Sequence, residues 1–196
     1  MKIIGLTGGI GSGKSTLLAW LRSNGIPCFE SDIVGKQLLN GQLKQDVIDC
    51  FGPELYPNDV LDTKKMAQLV FQDKEALEKL NNIVHPAVGK AFKDFIEKNK
   101  NAQIVVKEAA ILFETGAYKS CDFVILVCAP LEKRISRVIQ RDGVKRAEVL
   151  ARMSKQWDDN KKSALADFVI ENDSLELAIE QLEAILNFKR DIRLKL

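Results

Sequence analysis

Gly8-Gly9-Ile10-Gly11-Ser12-Gly13-Lys14-Ser15-Thr16 is the stretch on which the reading of the whole chain turns. It fits the P-loop pattern: Gly8, four residues, then Gly13-Lys14-Ser15. Glycines at this spacing let the backbone wrap with its N–H groups turned inward, where they cradle the phosphates of a nucleotide. The backbone from Gly9 through Gly11, Ser12 and Gly13 to Thr16 is therefore the expected phosphate-binding surface. Lys14 brings a point charge to the β- and γ-phosphates, and Ser15 offers a hydroxyl to Mg²⁺. Residues 16–21 read as a helix whose positive N-terminus faces the phosphates. Ahead of the loop, residues 2–7 form a short apolar run, a buried strand leading into it. The glycines, the Lys-Ser pair and the strand–loop–helix context together argue against a chance Gly-rich turn.

The rest of the chain suits a single P-loop domain. With 196 residues, 46% apolar and 29% charged, it can bury a substantial core. A formal net charge of +2 gives no global reason to expect nucleic acid or a membrane surface as a partner. No apolar run approaches the ~20 residues of a transmembrane helix. No protein partner is evident either. Cys28, Cys50, Cys121 and Cys128 form no CxxC pair and His85 is the sole histidine, so a zinc site is not expected. Cys28 and Cys128 read as buried small hydrophobes. Free thiols and a start directly in a strand lead to an expected cytoplasmic location.

Past the first helix, Asn24-Gly25 is a helix stop. Residues 26–30 form a second strand, followed by a helix over 33–39. Ligands of open parallel sheets bind beyond the carboxyl ends of the strands. Asp32 stands just past such an end, so it can act on a group beside the γ-phosphate. It, or Ser31, equally suits a helix N-cap. The next strand, 102–106, is roughly seventy residues further on, against about thirty for a whole βαβ unit. The intervening residues read as helices over 43–51, 63–71, 74–82 and 86–98, with starts at Asp62-Thr63 and Asp73-Lys74 and with Pro86 in a first helical position. Such an insertion can hold a second substrate or serve as scaffold.

Glu108 follows the third strand, where P-loop proteins place a carboxylate near Mg²⁺. Residues 111–113 read as core. Residues 122–129 are nearly all apolar, a strand buried on both faces. The helix 131–141 carries Arg134, Arg137 and Arg141 on one face and Ile135, Val138 and Ile139 on the other. A second helix, 147–157, has Arg146 near its start and carries Arg152. Two Arg-bearing helices here read as a lid that clamps polyphosphate, or as a solvated face. Residues 167–170 are a fifth strand. The last helix, 175–188, turns Leu175, Ala178, Ile179, Leu182, Ile185 and Leu186 inward, and 190–196 read as a frayed end. The expected fold is α/β: a five-stranded parallel sheet flanked by helices, with core 1–30, 102–130 and 164–190, a helical insertion at 31–101 and a lid at 131–163.

These motifs resemble the dephospho-coenzyme A kinases over residues 3 to about 188. The likeness rests on residues 6–16, Ser31-Asp32-Ile33-Val34, Val84-His85-Pro86, Ile111-Leu112-Phe113-Glu114, Gln140-Arg141-Asp142, Arg152-Met153-Ser154-Lys155-Gln156 and Ile170-Glu171-Asn172. It implies transfer of the γ-phosphoryl of ATP, with Mg²⁺, to the ribose 3′-hydroxyl of dephospho-coenzyme A. Asp32 would take the hydroxyl proton. Lys14 and Arg141, with Arg137, would act on the phosphates, and Asn172 would lie near the adenine. His85 could touch substrate or start a helix. The chain departs from the family pattern at Glu30-Ser31, Lys36, Ala110 and Glu171. Lys36 lacks the fork of the arginine usual there, which puts a contact at that position in question. A nucleoside monophosphate kinase would share the loop and lid. A GTP-binding switch would need an Asn-Lys-x-Asp motif, whereas the fourth strand runs into Ala129-Pro130-Leu131-Glu132. A nucleotide-binding regulator without a substrate is the third alternative.

Overall fold

A computed structural model describes residues 1–191; of the expected frayed end at 190–196, positions 192–196 lie outside the described residues. Among the described residues, five strands form one sheet: β1 (Lys2–Thr7), β2 (Cys28–Glu30), β3 (Ile104–Glu108), β4 (Phe123–Cys128) and β5 (Phe168–Glu171). Their order is β2-β3-β1-β4-β5, and the pairs β1–β3, β1–β4 and β4–β5 are parallel. Leu6 pairs with Glu108 and Thr7 with Leu126, so the carboxyl ends of β1, β3 and β4 lie level. Parallel sheets bind ligands at that edge. The chain divides into two compact units, one of Met1–Cys28 and Asn101 onward, the other of Phe29–Lys100.

The first unit is organised around β4, whose six residues are all buried, as their unbroken apolar run requires. Helix α1 (Lys14–Ser23) lays Leu17, Leu18 and Leu21 against Ile4, Leu6, Ile125 and Val127. Each such leucine, taken out of water, contributes about 1.5–3 kcal/mol. The final helix, running Leu175–Asp191, adds Ala178, Leu182 and Leu186 to the same core. Leu175, expected inward, is exposed at the helix start instead. Ile111 is exposed while Leu112 and Phe113 are buried, because the segment after β3 turns rather than continuing as a strand. Ile139 likewise stands at the surface. Cys128 is buried, and Cys28 only half-buried.

The second unit is helical: α2 (Ser31–Leu39), α3 (Lys44–Phe51), α4 (Thr63–Gln72) and α5 (Lys74–Lys98). The expected starts hold. Asp62 accepts from the N–H groups of Lys64 and Lys65, both at 3.0 Å. Asp73 accepts from Glu75 and Ala76 at 2.8 and 3.2 Å. Val47, Leu55, Tyr56, Leu61 and Met66 make its core. The expected helices 74–82 and 86–98 are one helix, with Pro86 in its interior. The proline denies Asn82 its intrahelical donor. Val84 and Val88, on either side of it, pack over Gly35 of α2, and this packing carries the helix through. The start of α2 also differs from expectation: its N-cap is Glu30, with Ser31 and Asp32 already in the first turn.

After β4 come α6 (Leu131–Asp142), α7 (Arg146–Met153) and α8 (Asp159–Ser163), completed by α9 (Leu175–Asp191). The expected helix 147–157 is thus shorter, and α8 was not foreseen. Asp158 caps α8 by accepting from Lys161 N–H at 2.7 Å.

Candidate active site

The P-loop spans residues 8–15 between β1 and α1. Gly11 and Gly13 have φ of +78° and +97°, a left-handed conformation that side chains with a Cβ rarely adopt. Space also requires glycine there. A Cβ on Gly11 would meet the Arg134 carbonyl oxygen at 2.4 Å, and one on Gly13 would meet Asn172 Nδ2 at 1.9 Å. The helix α1 begins at Lys14, so by position the N–H groups of its first turn lack intrahelical acceptors, an arrangement that suits an anion. Ser15 and Thr16 are exposed at this mouth.

Lys14 lies back against the sheet edge. Its Nζ donates to Gly8 O at 2.6 Å and stands 4.0 Å from Glu108 Oε1. The register explains the second contact, since Glu108 is level with Leu6 at the end of β1. Thr7 Oγ1 donates to Ala109 O at 2.8 Å and ties the ends of the two strands together.

Asn172, just past β5, reaches the loop from behind: its Nδ2 donates to Ser12 O at 2.7 Å. Its backbone N–H donates to Cys128 O at 2.7 Å, which fixes it to β4. Asn172 Oδ1 and Ser12 Oγ are both buried without a hydrogen-bond partner in the protein. Arg137 of α6 donates to Asn172 O at 3.3 Å and lies 3.5 Å from the carbonyls of Gly11 and Ser12. Lys14, Ser12, Gly13, Arg137 and Asn172 are therefore in one place.

Arg141, at the end of α6, is bonded to its own neighbour. Its Nε and Nη2 hold the two oxygens of Asp142 at 2.7 and 3.1 Å, and Arg152 Nη1 donates to the same carboxylate at 2.8 Å. Hydrogen bonds from Arg141, then the charge and bonds of Arg152, hold the Asp142 carboxyl down to about 2. Arg134 shares with Arg137 the face expected of both, turned to the loop. Its Nε donates to Ile10 O at 3.0 Å and its Nη1 to Asp159 Oδ2 at 2.8 Å. Asp32 opens α2 in the second unit, two residues beyond β2, and Ser31 Oγ beside it is buried without a partner. His85 is exposed on α5.

A second set of residues was not foreseen. Lys162, in the polar run Asp158-Asp159-Asn160-Lys161-Lys162, is fully buried. It pairs with Glu114 at 3.0 Å and donates to Ala110 O at 3.2 Å. Glu114 also accepts from Trp157 N–H at 3.0 Å, and Gln156 Oε1 accepts from Ile10 N–H at 2.9 Å. Glu114 and Gln156 belong to motifs noted above, which was the available signal.

The loop fits a nucleotide phosphate and a hard cation. It offers helix-start N–H groups, a buried ammonium, an exposed hydroxyl at Ser15 and two buried polar atoms without partners. Among the described residues, no three His, Cys, Asp or Glu side chains are arranged to hold a metal. A Mg²⁺ shared between a hydroxyl and phosphates needs no such cluster.

A profile of the family described as Dephospho-CoA kinase matches residues 2–177. The chain belongs to the dephospho-CoA kinase family. A Dephospho-CoA kinase of Chlorobium chlorochromatii (strain CaD3) is 39% identical over 186 residues, covering 90% of this chain and 88% of that one. The crystal structure of TT1252 from Thermus thermophilus superposes with a TM-score of 0.88 at 37% identity, covering 95% and 96% of the two chains. A Dephospho-CoA kinase from Campylobacter jejuni superposes at 0.62 with 25% identity, over 95% and 96%. As a member of the dephospho-CoA kinase family, the chain is an ATP-dependent kinase, a transferase. Among the described residues, no helix is long and apolar enough to cross a membrane.

Proposed function

We infer that the chain transfers the γ-phosphoryl of ATP to the ribose 3′-hydroxyl of dephospho-coenzyme A, giving coenzyme A and ADP. The acceptor oxygen forms a bond to the γ-phosphorus as the bond to the β–γ bridging oxygen breaks. The hydroxyl proton passes to the Asp32 carboxylate, which also orients the hydroxyl. Such a transfer has a loose transition state, so catalysis is positioning and electrostatics. P-loop amides and Lys14 offset the charge that builds on the β–γ bridge. Arg137 and Arg141 act on the phosphates, Arg141 after leaving Asp142. Ser15 would hold a Mg²⁺, which screens phosphate charge when bound. The cytoplasm is the proposed location.

The observation that carries this reading is the buried Lys14, held between Gly8 O and Glu108 at the level carboxyl ends of β1 and β3. An ammonium there, ahead of a helix N-terminus, is suited to a phosphate chain. An assay of ADP formation with dephospho-coenzyme A, nucleoside monophosphates and no acceptor tests it. Turnover only with dephospho-coenzyme A is expected. Equal turnover on a nucleoside monophosphate overturns the assigned acceptor.

A further inference from the structure

A peptide unit is planar and trans, so the C=O of one residue and the N–H of the next point in opposite directions. This matters in the P-loop, where three alternate carbonyls are held by side chains. Gly8 O accepts from Lys14 Nζ at 2.6 Å, Ile10 O from Arg134 Nε at 3.0 Å and Ser12 O from Asn172 Nδ2 at 2.7 Å. The N–H groups across those three peptides are those of Gly9, Gly11 and Gly13. Each must point away from its clamp.

The glycines fit the same arrangement. A Cβ on Gly9 would come within 1.9 Å of Arg134 Nη2, and a Cβ on Gly13 within 1.9 Å of Asn172 Nδ2. The clamping side chains press so close that only glycine fits beside them. They are themselves fixed. Arg134 is anchored by Asp159 at 2.8 Å, and Asn172 by its backbone bond to Cys128. The preceding peptide, Gly9–Ile10, is gripped as well, where Gln156 Oε1 accepts the Ile10 N–H.

The geometry points to Arg134 and Asn172 as positioning residues that aim the P-loop amides at the phosphates by holding the opposite ends of the same peptides. On this account Asn172 serves the phosphate end of the nucleotide through Ser12, rather than the adenine. The inference rests on the reading of residues 8–15 as a phosphate cradle. Preorganised amides matter because they need not reorient as charge develops.

The test is titration of adenosine, AMP, ADP and ATP into the full chain and two variants, Asn172→Leu and Arg134→Lys. Leucine matches asparagine in size without a donor. Lysine keeps the charge facing Asp159 but lacks the Nε–H. Both variants should weaken ADP and ATP on the order of tenfold, the effect of losing a charged or buried hydrogen bond. Adenosine and AMP should stay within about twofold. Thermal unfolding of each variant separates misfolding from misdirected amides, and Arg134→Lys carries the test if Asn172→Leu does not fold. An unchanged ratio of ADP to AMP affinity in folded variants overturns the inference. Equal weakening of all four ligands by Asn172→Leu also overturns it and makes Asn172 an adenine contact. If the unaltered protein binds ADP no better than AMP, the phosphate-cradle reading itself is what fails.

Discussion

Arg141 and Asp142, neighbours at the end of α6, are bonded to each other through both nitrogens of one face of the guanidinium and both carboxylate oxygens. Arg152 joins them from α7. An arginine proposed to act on a phosphoryl group thus starts out occupied by a carboxylate. Phosphate oxygens are the better-charged competitor, so the exchange can accompany nucleotide binding.

That arrangement sets the first prediction. Arg141→Ala is expected to lower kcat more than it raises KM for dephospho-coenzyme A, since the group is proposed to act in the transition state. Steady-state kinetics over both substrates decides it. A change confined to the KM of the acceptor places Arg141 in the acceptor site.

The same trio has a pH signature. The Asp142 carboxyl is held at about 2, below its ordinary 3.8. A depressed carboxylate contributes its stability in full above the ordinary value and loses it as pH falls towards the depressed one. The difference in thermal midpoint between the parent and Asp142→Asn should be steady above about pH 5 and close between about pH 4 and pH 2. Because the groups are exposed, it should also shrink with added salt. A difference undiminished at pH 2 contradicts the assignment.

Lys14→Ala should reduce kcat by ~10²-fold or more, because the ammonium acts where the transition state gains charge. Loss of less than about threefold at saturating ATP, under ~1 kcal/mol of barrier, rules that role out.

For Asp32, the informative substitution is Asn, which keeps the shape but cannot take a proton. ATP affinity by titration should hold, while transfer falls by ~10²-fold or more. Full activity makes Asp32 a helix-start residue only. Collapse of ATP or Mg²⁺ affinity with transfer preserved makes it a metal-site residue.

Pro86→Ala tests the helix that runs through its proline. Restoring the N–H towards Asn82 should raise stability by about 1–3 kcal/mol in chemical unfolding. A loss of stability would mean that the proline fits a strained site that alanine does not.

What was legible in the sequence was local. Asp62 and Asp73 announce α4 and α5 because a cap is a contact between near neighbours. The run 123–128 announces a buried strand because both faces are apolar. Pro86 misled for the same reason. Locally it is a start signal, and only packing over Gly35 reveals it as an interior residue. Ser12, Arg137 and Asn172 could be named from motifs, but the bond from Asn172 to Ser12 spans 160 positions. Nothing in the order of residues says which side of the loop the asparagine approaches. Lys162 was hidden still more completely, since its partner Glu114 lies in a different motif.

The buried Lys162 has a mechanical consequence. With Glu114 it pins α8 near its end, while Gln156 and Trp157, just ahead of that helix, are fastened to Ile10 and Glu114. At the other end, Gly143 turns the chain at φ +66° directly after α6. The chain is thus fixed on both sides of α7, which itself buries Val149 against Ile135 and Val138 of α6. The far fixture, Gln156, is the same residue that grips the tip of the P-loop, so α7 and the phosphate cradle share one anchor.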